Sequence, residues 1–284
     1  MKQHGQHVNE IGVMQGRLLP KYNGRYQAHP VGYWEAEFLL ADALGLDCIE
    51  FILDFNEAAK NPLLRRNGSS QIGAVSKNSN VKVRTVCADY FMEAPLHSDN
   101  FEQVDQSLKV LEKLLLSCCK LNIESIVLPC VDQSNLKSPD ERRRLISVLK
   151  PVMREFKEKR IFLSLETDLA PAAFANLIDS IDSSWIAVNY DIGNSAALGY
   201  DPKEEFDAYG EFITDVHIKD RDFAGGPVIL GTGAADFKLC LSELNRIPYK
   251  GPYIMQAYRD DEGLQIFKEQ FTWFQKLWRK TFAD

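Results

Sequence analysis

Eight times along the chain, a short apolar run rich in β-branched residues gives way to a longer run of amphipathic character. The short runs cover residues 11–14, 48–53, 83–88, 125–131, 161–166, 186–190, 213–218 and 253–256. Few charges interrupt them, which suits strands of a parallel sheet covered on both faces. Between them lie helix patterns. Trp34, Phe38 and Ala41 share a face ahead of a stop at Gly45. Phe101, Val104, Leu108, Leu111, Leu115 and Cys118 recur at three and four residues, with Asp99 and Glu102 predicted as a capping box. Ser138, Pro139 and Glu141 supply an N-cap, a first-turn proline and an N3 glutamate to the next helix. Phe174, Leu177, Ile178 and Ile181 form a shorter face, and Asp236 caps a helix carrying Leu239, Leu241 and Leu244. Leu264, Phe267, Phe271, Phe274 and Trp278 mark the last. The helix after the second strand has the faintest pattern, a cap at Ser69 or Ser70 and a run through Ile72 and Val75.

Spread over 284 residues, eight such units take about 35 residues each, close to the spacing of a closed barrel of about 250 residues with loops added. No Pro/Gly/Ser-rich linker divides them. The pattern therefore predicts an α/β fold: a single (β/α)8 TIM barrel, with a parallel eight-stranded sheet surrounded by helices, as one domain over residues 1–284.

Composition narrows the partners. With 33 basic and 40 acidic residues the net charge is −7, which argues against a nucleic-acid partner, since phosphate-backbone binding needs dense Lys and Arg. No apolar run approaches the ~18–20 residues of a membrane span, and the first ten residues are too polar for a signal core. Cys48, Cys87, Cys118, Cys119, Cys130 and Cys240 lack zinc-type spacing and read as reduced thiols of a cytoplasmic protein. Trp273 and Phe282 on the last helix suggest an exposed aromatic face and a homo-oligomer.

In such a barrel, chemistry collects at the C-terminal strand ends, and here those ends are ionisable. Glu50 and Asp54, Asp89, Asp132, Glu166 and Asp168, Asp191, His217 with Lys219 and Asp220, and Gln256 with Arg259 follow in strand order. Asp54, Asp89, Asp132 and Asp168 are read as ordinary strand-end residues or caps. Glu166, Asp191 and His217 differ, because each interrupts an apolar run and is predicted to point into the barrel mouth. Three such donors need a counter-charge, and two carboxylates with an imidazole suit one divalent ion, Mn, Co, Zn or Mg.

Around this centre, the 16–32 stretch carries Arg17, Arg25 and His29 over the active face. Lys219 shares its strand face with His217. The turns at Gly225-Gly226 and at Gly231 and Gly233 precede a helix start and can offer N–H groups to a phosphate. Arg259 adds charge, and Tyr90, Phe91 and Tyr258 can floor a sugar.

Five fragments carry a family likeness: Ser164-Leu165-Glu166-Thr167-Asp168, Asp191-Ile192-Gly193-Asn194, His217-Ile218-Lys219-Asp220, the Gly231–Phe237 segment and Tyr253-Ile254-Met255-Gln256, joined by Gly45–Glu50 in the first half. The chain resembles the sugar phosphate isomerase/epimerase family of xylose isomerase-like barrels. That resemblance implies one metal held from strands 5 to 8 by Glu, Asp, His and Glu, with the two glutamates moving a proton beside a carbonyl. By position the ligands are Glu166, Asp191, His217 and Gln256. Glu166 and Lys219 are the expected catalytic groups, and Glu50, Asn194, Lys219, Arg259, Gly231, Gly233 and Arg17 the expected substrate contacts. The implied function is a metal-dependent isomerase or epimerase of a small keto-sugar or sugar phosphate, working through an enediolate.

Gln256 departs from the family pattern, since an amide can ligate a metal but cannot accept a proton. Losing one acid/base group typically costs about 10²–10⁴-fold. Lys219, Asp220 and Glu50 are the candidate replacements. Two alternatives follow from the same departure: a dehydratase or lyase on a polyol-derived ketone, which needs fewer bases, and a catalytically degenerate sugar-binding barrel. Apurinic-site endonucleases share the superfamily but need three metals and many histidines.

Overall fold

Strands β1 (Ile11–Met14), β2 (Cys48–Ile52), β3 (Lys82–Cys87), β4 (Ser125–Cys130), β5 (Phe162–Thr167), β6 (Ile186–Asp191), β7 (Ile213–Ile218) and β8 (Tyr253–Met255) pair in sequence order. All pairs are parallel, and β1 closes on β8 with Ile11 opposite Tyr253. The computed structural model describes residues 10–282. It is a single TIM barrel, and each expected strand is present to within about a residue at either end. Around the sheet run α1 (Ala36–Leu44), α2 (Gly68–Ser79), α3 (Tyr90–Glu93), α4 (Phe101–Leu121), α5 (Pro139–Lys159), α6 (Pro171–Ile181), α7 (Ile192–Leu198), α8 (Pro202–Tyr209), α9 (Phe237–Arg246) and α10 (Leu264–Phe282).

The core has two layers. Helices bury their apolar stripes on the outer face of the sheet, while Met14, Cys48, Ile52, Cys87, Val127 and Ile254 fill the barrel interior. Gly12 belongs to this floor: a Cβ there would stand 2.5 Å from Cys48 Sγ and 2.8 Å from Ile254 Cδ1. The interior is not wholly apolar: Ser125, Ser164 and Thr214 form a hydroxyl chain near the strand starts, and Asp215 is fully buried two residues before His217 on β7.

The helix ends follow local chemistry. Gly45 stops α1 at φ 74°, a left-handed angle that glycine adopts without strain. Ser138 caps α5 through a complete box with Glu141. Ser138→Ala is expected to cost about 1 kcal/mol, read as a lower urea midpoint with unchanged slope. The start of α4 departs from expectation: Asn100, not Asp99, is the cap, its side chain accepting from the N–H groups of Glu102 and Gln103. Helix α2 extends to Ser79, beyond its apolar pattern, and α3, α7 and α8 had no clear signal. Five of the six cysteines are buried, Cys119 is exposed, and all are free. No described helix is long and apolar enough to cross a membrane. Trp273 is not an exposed patch, since it packs edge-on against Phe237 and joins the core; the Phe282 side chain lies outside the described residues.

Candidate metal centre and cavity

Alternation along β5, β6 and β7 brings Glu166, Asp191 and His217 to one side, with Asp191 directly opposite His217. One ligand atom from each lies within 4.8 Å of the others, and all three residues are buried. A register shift between Val188 and Asn189 immediately precedes this part of β6; such bulges re-aim side chains near functional sites.

His217 is held from behind. Its Nε2 lies 2.8 Å from Glu50 Oε1, and the other Glu50 oxygen accepts from Thr85 Oγ1 at 2.6 Å. With Nε2–H donating to Glu50, Nδ1 faces the other carboxylates, 3.7 Å from Glu166 Oε2 and 3.8 Å from Asp191 Oδ2. Carboxylate support of this kind fixes the tautomer and orientation of a ligating histidine. Glu50 was expected to touch substrate; instead it is fully buried behind the imidazole.

Asp191 does three things at once. Its Oδ1 caps α7 by accepting from the Asn194 N–H at 2.9 Å, and its Oδ2 meets Lys219 Nζ at 3.2 Å. The third contact is with His217. Gly193 makes this approach possible, since a Cβ there would stand 2.8 Å from Lys219 Cγ and 2.9 Å from its carbonyl carbon. Asn194 Nδ2 donates to Glu166 Oε1 at 2.6 Å and Asn189 Nδ2 to Oε2 at 3.1 Å. Asn194 Oδ1 accepts in turn from Arg221 Nη1 at 2.9 Å.

The electrostatics separate the carboxylates. Burial first, then the Asp191 charge, pushes the Glu166 carboxyl up to about 7. Burial would raise Asp191 too, but Lys219 and His217 overcome it and hold that carboxyl well below its ordinary range. For His217, burial works against the proton, yet Glu50 and Asp191 prevail and hold its pKa well above the ordinary value.

At the end of β8, Gln256 is buried, and its Nε2 donates to Gln27 Oε1 at 2.9 Å. Its Oε1 is a buried acceptor without a hydrogen-bond partner among the described residues. Two carboxylates and an imidazole Nδ1 are donor types that fit a divalent ion, and Gln256, with its partnerless oxygen, lines the same cavity as Glu166.

Glu166, Asn194, Lys219 and Gln256 line a cavity of about 290 Å³, together with Arg17, Arg25, Gln27, Asp54, Asp89 and Arg221. A larger cavity of about 670 Å³ lies among Thr85, Ser125, Phe162 and Ile213 near the strand starts and holds none of the three clustered side chains. Size alone is therefore a poor guide here, since of the two only the smaller cavity is lined by a member of the cluster, Glu166.

Several expected contacts fall elsewhere. The N–H groups of Gly231, Gly233 and Ala235 all point at the Asp220 carboxylate, at 2.9, 2.9 and 3.1 Å, so those glycines have no amide left for a phosphate. Asp220 is fully buried by this role. Arg259 is spent on the carbonyls of Gly16, Leu19, Asp260 and Asp261, where it clamps the loop after β1. Arg25 lines the cavity but pairs with Asp54. His29 bonds Gln15 Oε1 at 3.0 Å, and burial pushes its pKa down to about 4. Phe91 is a core residue. Conversely, Gln27, Asn189 and Arg221 were not anticipated. Asn189 and Arg221 each sit two residues from a named site residue on the same strand or its extension, a spacing that could have flagged them; Gln27 has no such signal.

A family profile described as xylose isomerase-like TIM barrel matches residues 38–277. The L-ribulose-5-phosphate 3-epimerase UlaE of Salmonella paratyphi A is 27% identical over 248 residues, covering 82% of this chain and 86% of that one. The 3-keto-D-glucoside 4-epimerase of E. coli superposes with a TM-score of 0.73 at 16% identity, over 95% of this chain and all (100%) of that one. The IOLI protein, solved with a zinc atom, superposes with a TM-score of 0.73 at 14% identity, over 96% and 97% of the two chains. At those identities the two structures attest the fold alone.

Proposed function

Since the chain belongs to the xylose isomerase-like TIM barrel family, we propose that it is a metal-dependent epimerase or isomerase of a small keto-sugar or its phosphate. The observation that carries this reading is the buried Glu166–Asp191–His217 cluster at the mouth of the barrel. The similarity to an L-ribulose-5-phosphate 3-epimerase over most of both chains favours a ketose phosphate. So does Arg17, which lines the cavity at 1% exposure with a partnerless Nε and, among the described residues, no carboxylate in ion-pair contact. Asp89 and Glu37 supply negative charge only from beyond ion-pair contact, and a buried guanidinium gains from an anion brought directly against it.

Glu166, Asp191, His217 and Gln256 would hold the ion, which when bound polarises a carbonyl and stabilises the negative charge that forms as the neighbouring C–H bond breaks. The remaining work falls to the side chains. Asn189 and Asn194 fix both oxygens of Glu166, so its carboxylate has a set direction from which to take the proton. Burial and the Asp191 charge raise its pKa to about 7 in the metal-free protein; bound to the ion it would be ionised, the form that accepts the proton. An amide at position 256 cannot return the proton. Of the three groups expected to replace it, Asp220 and Glu50 are committed inside the protein, while Lys219 lines the cavity. Lys219 is therefore the proposed donor.

The test follows L-ribulose 5-phosphate and a panel of free ketoses by NMR with Mn²⁺, Co²⁺, Zn²⁺ or Mg²⁺ added. Conversion of a ketose or ketose phosphate that stops on chelation is the expected result. A panel left unchanged with every ion overturns the reading.

A further inference from the structure

We propose that Gln27 is a positioning residue: it locks the Gln256 amide with its oxygen free for a divalent ion, and it makes position 256 selective for an amide over a carboxylate. The inference rests on the metal-site reading above and concerns a residue of the loop between β1 and α1.

The Gln27 carboxamide cannot turn over. Its Oε1 accepts from Arg17 Nη2 at 2.8 Å, and a guanidinium can only donate. Its Nε2 donates to Asp89 Oδ2 at 2.7 Å, and a carboxylate can only accept. Gln256 therefore meets an oxygen at 2.9 Å and must present its own Nε2 to it. The amide orientation set by Arg17 and Asp89 passes through Gln27 to Gln256, and it leaves Gln256 Oε1 buried with no partner among the described residues. A buried acceptor without a donor is costly to maintain, so a group that consumes its lone pair is the natural counterpart.

The same chain gives a reason for glutamine at this position. A glutamate would set a carboxylate oxygen against Gln27 Oε1 at hydrogen-bond distance with no proton between them. It would have to take up a proton, which makes it neutral, or break the Arg17–Gln27–Asp89 contacts. The neutral ligand is thus enforced by a loop residue about 230 positions away in sequence, the separation of the Gln27–Gln256 bond being 229.

Mn²⁺ is titrated into the full chain by calorimetry for the wild type, Gln27→Met, Gln256→Ala and the double variant, with melting curves recorded for each. Gln27→Met is expected to weaken binding about 10-fold or more, the usual effect of losing the support of a ligand, and to cost nothing further in the Gln256→Ala background. Gln256→Glu alone is expected to bind no tighter than wild type near neutral pH, whereas Gln27→Met with Gln256→Glu binds tighter. Gln27→Ala repeats the measurement if the methionine variant melts early. An unchanged Kd for Gln27→Met, or an equal loss in both backgrounds, overturns the proposal while leaving the metal site standing. If the wild type takes up no Mn²⁺ the series is run with Co²⁺, Zn²⁺ and Mg²⁺, and a wild-type chain that takes up none of the four overturns both.

Discussion

Glu166→Gln is expected to lower turnover of the ketose substrate by about 10²–10⁴-fold, the range for removing a positioned base. It should also abolish exchange of the substrate's carbonyl-adjacent hydrogen with deuterium from solvent, measured by NMR. The substitution keeps the shape of the side chain, and the surroundings can absorb it. An introduced amide whose nitrogen replaces Oε2 would face Asn189 Nδ2, donor against donor. Asn189 Nδ2 also lies 3.1 Å from His217 Nδ1, so Asn189 can turn over where that nitrogen carries a proton, its Oδ1 being buried without a partner among the described residues. Asn194 cannot, because its Oδ1 is already committed to Arg221. One orientation of the introduced amide therefore satisfies both neighbours, and the variant is expected to fold and melt close to the wild type. Loss of exchange in a well-folded variant that still takes up the ion separates proton transfer from both folding and metal binding. Exchange and turnover within a few-fold of wild type would remove Glu166 from the proton path.

Much of this centre was legible in the sequence, and the part that was not has a physical explanation. A strand repeats every two residues, so a carboxylate or histidine breaking an apolar run has a definite side, and Glu166, Asp191 and His217 all lie where that rule sends them. The barrel itself was readable because eight strand-and-helix units without a linker leave few other closures. Loops obey no such period. The Gly231 and Gly233 turn looked like a phosphate cradle, but its N–H groups close on Asp220, a partner whose identity depends on the path of the chain. Arg259 looked like a free cation, yet four carbonyls surround it. Gln27 reaches the centre because the residues between β1 and α1 fold back over the mouth, and no local pattern encodes that return. Short helices were missed for a related reason: α7 begins on the Asp191 cap that the cluster also uses, so one residue carried two signals.

Metal uptake is expected to be strongly proton-linked, with affinity rising about 100-fold per pH unit below pH 7 and flattening toward about 10-fold per unit above it, as expected when ligands must shed protons to bind. Two groups set this slope. In the metal-free protein Glu166 keeps a proton up to about pH 7. His217 keeps one beyond its ordinary range because Glu50 and Asp191 outweigh its burial. Both must deprotonate to ligate, so two protons leave per ion in the acidic part of the window and nearer one above it. Asp191, held ionised by Lys219 and His217, contributes no proton in this window. Stability follows with opposite sign for the two forms. The folded-state pKa of Glu166 lies above its ordinary 4.5, so its stabilising share is complete below that value and fades as pH rises through about 7. His217 has the same sign at higher pH. The metal-free chain should thus melt progressively lower from about pH 5 to 8, while saturating Mn²⁺ should raise the melting temperature most at the alkaline end, where binding is tightest. Calorimetric titration of Mn²⁺ in two buffers of different ionisation enthalpy counts the protons directly. A binding constant independent of pH between about 5.5 and 7.5, or no proton release, would show that Glu166 and His217 are not both ligands, since neither could then be losing a proton when the ion enters.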